Sequence, residues 1–357
     1  MIYDFIIIGA GSAGSNSAYF LNKRGAKVLV LEQFNIASGG SGAAGAFISP
    51  RLGRGGPLQK VTNESFKFSI DFYKRNFADC FYQTGILRLL KDEDDAKKIE
   101  DYKRFLDVDY RFLSSDEIEL SDYAKRYGGF FFESGGVVDA KRVCKKLLDG
   151  IDVKCGVSIK EIKRDKELFN IEGFRAKNII LATGAWDKFF KNSYFKIGKV
   201  AGIRLDVKTN LNLPYSIHKR VSISKKIDEK VAIGATHERV ENVSQDYPKR
   251  EEFLLNEAKR MTNINDFEIL NRFYGVRSSV NDHFPIIGEL IDISKVDKKT
   301  KEISRVKGVY VINGLGGRGF VFGPYVAKML VDNIIENKKI DDRLNLDRYF
   351  FRYIKRL

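Results

Sequence analysis

The apolar and polar positions of residues 3–32 predict a strand, a helix and a second strand in immediate succession. Residues 3–8 form an apolar, largely β-branched run that is typical of a buried parallel strand. A helix is predicted over about residues 12–24, with Gly25 as its C-cap, and a second strand over residues 27–31. The chain therefore begins with a predicted βαβ unit.

The rest of the chain alternates between pieces of this predicted core and pieces of a second domain. The core resumes with a turn and helix at 135–150, a buried strand at 174–186, and a strand, glycine-rich turn and long helix at 308–335. Residues 198–233 alternate apolar and polar positions, which predicts antiparallel strands. The remaining predicted elements are an amphipathic helix at 59–77 and a strand at 86–90.

These pieces predict an α/β fold in which a Rossmann-type nucleotide-binding domain carries an inserted α+β domain with an antiparallel sheet. We expect the first domain to be discontinuous, with residues 1–78, 134–197 and 270–357. The inserted substrate-binding domain would then comprise residues 79–133 and 198–269. A chain of 357 residues is long enough for two such intertwined domains.

Composition narrows the cellular setting. No run of about 18 apolar residues is present, so we expect no membrane span. The apolar N-terminus runs directly into a glycine turn, so we also expect no signal peptide. The three cysteines, Cys80, Cys144 and Cys155, lack metal-type spacing and fit a reducing cytoplasm. The histidines, His218, His237 and His283, also lack metal-ligand spacing, so no metal site is expected.

The charge balance adds a possible class of partner. Lysine and arginine number 62 against 47 acidic residues, which gives a formal net charge of +15 and an isoelectric point near 9.4. Such an excess attracts polyanions such as nucleic acid. The alternative is compositional, because the chain is also rich in isoleucine, asparagine, phenylalanine and tyrosine, as AT-rich coding would produce.

A glycine motif lies at the first strand–helix junction. Gly9, Gly11 and Gly14 form GxGxxG, and Glu32 ends the second strand 23 residues after the first glycine. In dinucleotide-binding folds these glycines allow a tight turn, close approach of a pyrophosphate and close helix packing, and the acid binds a ribose. Because strand, helix, second strand and acid are all in register, we predict dinucleotide binding. The glycine-rich stretch 35–59 suggests a second close approach of backbone to a ligand.

The motifs together resemble the D-amino-acid-oxidase superfamily of FAD-dependent enzymes, which includes glycine oxidase, sarcosine oxidase and D-amino acid dehydrogenase. The resemblance covers essentially the whole chain and implies a glutathione-reductase-like FAD domain. The segments that carry it are the N-terminal unit, the SGGSGAAG loop at 38–45, ATGAW at 182–186 and GLGGRGFVFGP at 314–324.

Within that superfamily the chain is most similar to the flavin domain of the MnmC family of tRNA-modifying proteins. The segments that carry this similarity are GSGAAGAFISPRL at 40–52, GVRSSVNDHFPIIGEL at 275–290, GLGGRGFVFGP at 314–324 and the basic-aromatic tail at 344–357. Bifunctional MnmC proteins also contain a methyltransferase domain. This sequence shows no second strand and glycine-rich unit for S-adenosylmethionine, so we expect a stand-alone oxidoreductase, with methylation left to a separate protein or absent.

The resemblance implies a specific reaction. MnmC flavin domains convert the carboxymethylaminomethyl group of a wobble uridine in tRNA to aminomethyl. That side chain is an N-substituted glycine, so hydride passes from the carbon beside nitrogen to the flavin, and the imine hydrolyses to release glyoxylate. The electron acceptor that reoxidises the flavin is left open among oxygen, a quinone and another protein. The FAD is expected to be non-covalent, because cysteine attachment in sarcosine-oxidase relatives lies near the C-terminus and the last cysteine here is Cys155.

The motifs and the resemblance assign site residues. The positions expected to contact FAD are Gly9, Gly11, Ser12, Gly14, Glu32, Gln33, Ser38, Ser41, Gly42, Ala43, Ala44, Gly45, Val157, Thr183, Gly184, Trp186, Gly314, Gly316, Gly317, Arg318 and Gly319. Arg318 is an alternative contact for a substrate phosphate. The last helix begins within this set, so its dipole would stabilise negative charge on the reduced flavin.

Most of the candidate substrate-binding residues are arginines. Arg277 stands where the superfamily places its substrate-carboxylate arginine, and its planar fork suits bidentate binding, although a structural ion pair is the alternative. Asp282 and His283 would orient the amine or a neighbouring loop, or serve only a local turn. The residues assigned to a phosphate-rich substrate are Arg51, Arg54, Arg348, Arg352 and Arg356, of which the last three share one helical face. Each would otherwise be a solvated charge.

Two competing functions remain open. The first keeps the flavin but acts on a small amine such as glycine, sarcosine or a D-amino acid, which does not need the basic tail or the +15 charge. The second is a tRNA-binding protein that retains FAD only for structure, against which the intact glycine motifs and Arg277 argue. Tyr215, Tyr247 and Tyr274 are candidate pocket residues, with ordinary core or surface roles as the alternative.

Overall fold

The computed structural model describes residues 1–186, 188–190, 193–239, 247–295 and 303–355. Their strands, in chain order, are β1 Ile2–Ile8, β2 Val28–Leu31, β3 Phe47–Ile48, β4 Phe81–Tyr82, β5 Ile86–Leu89, β6 Arg111–Leu113, β7 Gly129–Phe132, β8 Gly136–Val138, β9 Asp152–Lys154, β10 Lys163–Asp165, β11 Leu168–Ile171, β12 Phe174–Leu181, β13 Gly198–Lys208, β14 Ser216–His218, β15 Ser222–Ile223, β16 Val231–Gly234, β17 Glu238–Arg239, β18 Glu268–Ser279, β19 Ile286–Ile291 and β20 Arg305–Asn313.

The helices follow the amphipathic and glycine-bounded stretches of the sequence. They are α1 Ser12–Lys23, α2 Pro57–Asn76, α3 Glu93–Ala96, α4 Ile99–Phe105, α5 Asp122–Lys125, α6 Ala140–Leu147, α7 Tyr247–Thr262, α8 Gly319–Glu336 and α9 Asp347–Ile354. Short 3₁₀ turns lie at Ala78–Cys80, Ser115–Glu117, Lys188–Phe190, Ile293–Lys295 and Gly316–Arg318. None of the helices in the described ranges is long and apolar enough to cross a membrane.

By its packing the chain divides into two compact units, each built from separated segments. The first unit comprises Met1–Gly42, Lys141–Lys199 and Val276–Leu357, and the second comprises Ala43–Ala140 and Val200–Gly275. A discontinuous first domain with an inserted second domain was the predicted organisation, and both units combine helices with β-sheets as the predicted α/β class requires.

The boundaries differ from the prediction, which placed residues 43–78 and 134–140 in the first domain. The structure groups these residues with the second unit because α2 and β3 pack there. Asn63 Nδ2 on α2 donates a hydrogen bond to Asp107 Oδ1 at 2.7 Å, and Gln59 Nε2 donates to the carbonyl of Phe105 at 2.9 Å. β3 and β4 both pair with β8 in a three-stranded antiparallel sheet.

The first unit is built on an eight-stranded sheet. Strands β9, β2, β1, β12 and β20 are parallel neighbours in that order, and β19 adds an antiparallel edge beside β20. The hairpin β10–β11 pairs with the first half of β12, and β20 pairs with its last three residues. β2 is buried along its whole length, which explains why its sequence is continuously apolar rather than alternating. Helices α1 and α8 pack against each other.

The second unit is built on a nine-stranded sheet with the order β17-β13-β16-β15-β14-β5-β7-β6, and β18 also pairs with β13. Most neighbours are antiparallel, but β14 and β5 are parallel. One face of this sheet carries an apolar cluster that includes Leu205 and Ile233, against which Leu254 and Met261 of α7 are buried. The alternation predicted for residues 198–233 therefore arises because one sheet face is covered by a helix.

Candidate active site

The predicted cofactor residues of the first unit follow the carboxyl ends of its parallel strands. In the register of the sheet, Ile8 lies beside Leu31 and Leu181, Leu31 lies beside Lys154, and Leu181 lies beside Val311. The segments that leave these strands therefore meet along one edge, which is where open α/β sheets bind their ligands. The predicted residues in those segments are Gly9, Gly11, Ser12, Gly14, Glu32, Gln33, Ser38, Ser41, Gly42, Val157, Thr183, Gly184, Trp186, Gly314, Gly316, Gly317, Arg318 and Gly319.

The turn between β1 and α1 accepts only glycine at two positions. Gly9 has a φ of +107°, and a Cβ there would lie 2.4 Å from the carbonyl oxygen of Ala182. A Cβ at Gly14 would lie 1.9 Å from the carbonyl oxygen of Gly9. These distances are too short for real carbon–oxygen contacts. The turn therefore has the close backbone packing that a pyrophosphate cradle requires.

Helices α1 and α8 begin next to each other at this edge. The Ser12 hydroxyl donates a hydrogen bond to the carbonyl of Gly319 at 2.8 Å, and the Ser12 amide donates to the Ser41 hydroxyl at 2.9 Å. The first amides of a helix carry partial positive charge and attract anions. Two helix N-termini side by side give this edge a suitable environment for a phosphorylated ligand.

Glu32 is fixed by the backbone at the end of β2. One carboxylate oxygen accepts a hydrogen bond from the amide of Ala10 at 2.8 Å, and the other accepts from the amide of Phe34 at 3.1 Å. Each carboxylate oxygen can accept a further hydrogen bond, so a ribose contact fits the arrangement. The Val157 amide donates to the Glu32 carbonyl at 3.0 Å, which brings the β9 segment to the same place. The predicted ribose role of Glu32 stays a prediction.

The segment after β12 carries a polar group that is without a partner in the described part of the chain. The Thr183 side chain is buried, and its hydroxyl oxygen makes no hydrogen bond there. A buried hydroxyl left in this state is destabilising unless a ligand satisfies it. Trp186, in contrast, is 62% exposed, and Gln33 and Ser38 are exposed as well. The glycine turn and Thr183 together fit a bound dinucleotide.

Asn313 is a site residue that was not predicted from the sequence. Its Nδ2 donates a hydrogen bond to the Gly184 carbonyl at 3.0 Å, and its Oδ1 accepts one from the Gly314 amide at 2.8 Å. This buried side chain thus joins the turns that follow β12 and β20. The signal available in the sequence was an asparagine between an apolar run and a glycine-rich turn.

Arg277 lies on β18 beneath the glycine loop of the first unit. A Cβ at Gly40 would lie 2.8 Å from the carbonyl oxygen of Val276 and 3.6 Å from the Arg277 Cα, so the loop backbone rests directly on this strand. Burial lowers the pKa of the Arg277 guanidinium to about 10. A partly desolvated guanidinium gains more from a carboxylate than a solvated one does. The environment of Arg277 is therefore compatible with its predicted carboxylate-binding role.

The contacts of Asp282 bear on the two roles considered for it. Its carboxylate accepts hydrogen bonds from Arg348 Nε at 3.0 Å and from the Tyr349 hydroxyl at 2.7 Å, both on α9. Burial raises the pKa of Asp282, but these hydrogen bonds outweigh that effect and hold the pKa below its usual value. Asp282 thus anchors the C-terminal helix, which favours the local structural role over a catalytic one. His283 is exposed, with a φ of +63° at the tip of the same turn.

The C-terminal arginines do not form one solvated face. The Arg348 side chain is 11% exposed and is occupied by Asp282 and by the Phe284 carbonyl, so we withdraw its predicted RNA contact. Arg352 is 58% exposed and lies 3.4 Å from Asp282, so it remains accessible to a ligand. Arg356 lies outside the described residues.

The remaining predicted residues belong to the second unit. The Ala44 carbonyl accepts a hydrogen bond from Arg204, and a Cβ at Gly45 would lie 2.6 Å from the Phe47 ring, so the loop that includes Ala43 is tightly packed here. Arg51 and Arg54 are exposed, and the Arg51 amide donates to Asn63 Oδ1 at 2.8 Å.

The structure also shows where the candidate pocket tyrosines and the three cysteines lie. Tyr215 packs against Phe131 in the apolar cluster on the α7 face, and Tyr274 is partly buried beside the same cluster, so the core alternative holds for both. The Tyr247 side chain lies outside the described residues. Cys80 and Cys144 are buried and Cys155 is exposed. No group of histidine, cysteine and carboxylate side chains in the described ranges is arranged to hold a metal ion.

Comparison with known families defines the class of protein. The family model described as FAD dependent oxidoreductase, DAO, matches residues 4–333. The chain therefore belongs to the D-amino-acid-oxidase family of FAD-dependent oxidoreductases. It is therefore an FAD-dependent oxidoreductase, and its cofactor is FAD. The glycine turn, the paired helix N-termini and buried Thr183 are the features of this chain that fit the cofactor.

Curated relatives narrow the comparison within the family. The chain is 23% identical over 400 residues to the tRNA 5-methylaminomethyl-2-thiouridine biosynthesis bifunctional protein MnmC of Leptospira interrogans, with 98% of this chain and 61% of the relative covered. It is 23% identical to MnmC of Campylobacter fetus, with 99% and 60% covered. The chain thus spans about three fifths of the length of these relatives.

Solved structures show the same fold. Glycine oxidase from Geobacillus kaustophilus superposes with a TM-score of 0.80 at 20% identity, covering 95% of this chain and 96% of that one. L-Proline dehydrogenase from P. horikoshii gives a TM-score of 0.79 at 17% identity, with 98% of each chain covered. Identities this low establish the architecture and leave the substrate to the residues of the site.

Proposed function

We propose that this protein oxidises the carboxymethylaminomethyl side chain of a wobble uridine in tRNA to aminomethyl, with release of glyoxylate. The observation that carries the proposal is the match of nearly the whole chain to proteins named for tRNA 5-methylaminomethyl-2-thiouridine biosynthesis. The substrate side chain is an N-substituted glycine, so the reaction is an amine oxidation, in keeping with the family.

The chemistry divides between the cofactor and the chain. FAD supplies the two-electron acceptor for the C–H bond next to the substrate nitrogen. Arg277 would hold the substrate carboxylate through a bidentate pair and so fix the oxidised carbon in one orientation. Water then adds to the C=N bond of the oxidised substrate, and cleavage of that C–N bond leaves the aminomethyl group and glyoxylate.

The cofactor would be held by the edge of the first unit. The amides at the start of α1 and α8 would donate hydrogen bonds to the phosphates and stabilise negative charge on the flavin, and Glu32 would accept a hydrogen bond from a ribose hydroxyl. Thr183 would gain its missing hydrogen-bond partner. In this arrangement the side chains bind and orient, and no acid–base triad is required.

Several features support RNA as the substrate. The net charge of +15 favours a polyanion, and the exposed Arg51, Arg54 and Arg352 provide accessible cations. A cytoplasmic location follows from a tRNA substrate and forms part of the proposal. We also propose a methyltransferase as the functional partner, because the aminomethyl product carries the amine that a methyl transfer needs.

The competing function is oxidation of a free amine such as glycine, sarcosine or a D-amino acid. Arg277 would bind the carboxylate of these substrates equally well, so the carboxylate site does not discriminate between the two functions. The two functions differ in whether the polynucleotide part of the substrate is needed for binding and turnover.

Anaerobic flavin reduction tests the proposal. The purified holoprotein is mixed separately with tRNA that carries carboxymethylaminomethyl-uridine and with glycine, sarcosine and D-alanine, and the flavin absorbance is followed. We expect bleaching by the modified tRNA alone, and aminomethyl-uridine on nucleoside analysis. Bleaching by a free amino acid and none by tRNA would establish the competing function. The same tRNA without the modification serves as the control.

A further inference from the structure

A single arginine interrupts the apolar sequence of β5 in the second unit. Leu87 and Leu89 belong to the apolar cluster on the α7 face of the nine-stranded sheet. Side chains alternate along a strand, so Arg88 projects from the opposite face, as does the buried Leu90. Its register partners are Phe130 on β7 and His218 on β14. Arg88 thus stands on a sheet face next to a fully buried aromatic residue.

The Arg88 side chain is partly buried, and its guanidinium makes no hydrogen bond within the described residues. Its Nε is buried without a hydrogen-bond partner, and within the described ranges no carboxylate lies at ion-pairing distance from it. A partly desolvated cation in this state is destabilising unless something else neutralises it. Because the described part of the fold supplies no acceptor, the Arg88 guanidinium is available to an acceptor that comes from outside the chain.

The neighbouring carboxylate does not supply that acceptor. One oxygen of Asp95 accepts the Tyr102 hydroxyl at 2.5 Å, and the other accepts the Lys91 amide at 3.1 Å. Burial lowers the pKa of Arg88 to about 10, with Asp95 opposing and the charge of Arg51 reinforcing the shift. Asp95 is therefore near enough to act through space but is already hydrogen-bonded to two other groups.

Two further arginines lie near the same place. The charge of Arg51 acts on Arg88, and the charges of both Arg54 and Arg88 act on Tyr102. Arg51 and Arg54 are exposed and lie just before Gly55, whose amide donates a hydrogen bond to Gln59 Oε1 at 2.8 Å. The second unit thus gathers one partly buried and two exposed guanidinium groups near Tyr102, a combination that suits binding of a multiply charged oxyanion.

We propose that Arg88, Arg51 and Arg54 form a phosphate-binding subsite of the second unit, which takes a backbone phosphate of the substrate. The choice of a phosphate rests on the proposed tRNA substrate, since glycine, sarcosine and D-alanine carry one carboxylate and Arg277 accounts for it. A phosphate group has enough oxygens for several guanidinium groups at once. The subsite therefore recognises the polynucleotide part of the substrate rather than its reacting amine.

The first test uses inorganic phosphate as the probe and needs no turnover. The thermal midpoint of the holoprotein is measured in sodium phosphate and in sodium chloride of equal ionic strength. We expect a phosphate-specific increase for the wild type and for Arg75→Met, which removes an exposed arginine of the same unit. Arg88→Met should lose that increase, and the neutral, polar Arg88→Gln serves where Arg88→Met does not fold. A phosphate increase that persists in the Arg88 variants, or that is absent from the wild type, overturns the subsite.

The second test separates the subsite from the proposed reaction. Binding of an unmodified anticodon stem-loop RNA is measured by fluorescence anisotropy, with iminodiacetate as a competing dicarboxylate. We expect Arg88→Met to weaken RNA binding about tenfold or more relative to Arg75→Met, since hydrogen bonds between charged groups are lost. Equal RNA affinities for the two variants contradict the subsite, as does RNA displacement by iminodiacetate that depends on Arg88. Flavin reduction by modified tRNA is measured in a separate experiment. The proposed reaction can therefore be confirmed even if the phosphate-binding subsite is contradicted.

Discussion

At the scale of single residues, a few atoms decide whether the turn after β1 can hold its cofactor. The carbonyl oxygen of Gly9 occupies the space that a side chain at Gly14 would need. Because Gly14 has no side chain, the first turn of α1 packs directly against the end of β1. The amides at the start of α1 then face the edge of the sheet where the ligand would bind.

Gly14→Ala is predicted to reduce the flavin content of the purified protein. Its Cβ would lie 1.9 Å from the Gly9 oxygen, so α1 must move away from β1. Overpacking of this kind costs about 1–3 kcal/mol, which corresponds to FAD binding weaker by about 5- to 150-fold. The ratio of flavin to protein absorbance measures this. Gly39→Ala is the matched control, because a Cβ there meets nothing within 4 Å. Equal flavin loss in both variants would contradict the steric explanation.

Arg277→Lys is predicted to raise the KM for the amine substrate with little change in flavin content. Lysine keeps the positive charge but loses the two-pronged geometry that matches a carboxylate. A loss of about 2–3 kcal/mol in binding would lower kcat/KM by about 30- to 150-fold. Steady-state kinetics with the substrate identified by flavin reduction provide the measurement. An unchanged KM would remove Arg277 from the carboxylate site.

At the residue scale, a feature could be predicted from the sequence where its cause is local. The spacing of Gly9, Gly11 and Gly14 is dictated by one turn, so the sequence alone displays it. The anchoring of Asp282 was not predictable in this way, because its partner Arg348 lies 66 residues further along the chain. Arg88 gave a local signal, a charge within an apolar strand, whose meaning required the three-dimensional surroundings.

At the scale of elements, the C-terminal helix is joined to the turn after β18. Phe350 of α9 is fully buried in the core of the first unit, and Arg348 and Tyr349 hold the Asp282 carboxylate. The Arg305 guanidinium forms a bidentate pair with Asp347 at 2.6 and 2.7 Å, which fixes the start of the same helix. α9 is therefore an integral part of the first unit.

Asp282→Asn is predicted to destabilise the holoprotein by about 2–3 kcal/mol at neutral pH, since a partly buried guanidinium loses its counter-charge. Denaturant unfolding of wild type and variant gives the difference. Asp71→Asn removes the exposed Asp71–Arg75 pair and should change stability by less than about 0.5 kcal/mol. A similar small effect for Asp282→Asn would show that the network contributes little.

The pKa of Asp282 predicts how the stability difference between wild type and Asp282→Asn changes with pH. The Asp282 pKa is lowered by folding, so its contribution is complete above the unfolded value of about 3.9 and is lost as pH falls through the lower folded value. The stability gap between wild type and Asp282→Asn should therefore be constant from pH 7 to about 5 and narrow below about pH 4. Unfolding curves across that range test it, and a gap that widens in acid has the wrong sign.

Element-level predictions were right for types and less accurate for grouping. The apolar periods placed α1, β12 and α8 close to their observed bounds. They did not show that α2 belongs with the second unit, because that depends on hydrogen bonds from Gln59 and Asn63 to a segment more than 40 residues away. An amphipathic helix reveals that it has a buried face but not which core covers that face.

At the scale of the whole molecule, the net charge of +15 makes a prediction of its own. If the substrate is tRNA, binding should weaken about 10- to 100-fold between about 50 and 200 mM salt, as expected for roughly two to four phosphate contacts. Flavin reduction by a free amino acid should be far less salt-dependent. Stem-loop anisotropy over this salt range provides the measurement, and a flat response would indicate that the charge excess is compositional.

The discontinuous first unit also constrains the order of events during synthesis. The amides of α1 lie beside those of α8, yet Ser12 and Gly319 are 307 residues apart. At ribosomal rates of roughly 5–20 residues per second, the start of α1 waits roughly 15–60 s for its neighbour. During that interval β12 has no β20 to cover its last residues. A nascent chain therefore has to remain unaggregated with an unfinished nucleotide site, and cofactor capture becomes a late event in the maturation of the enzyme.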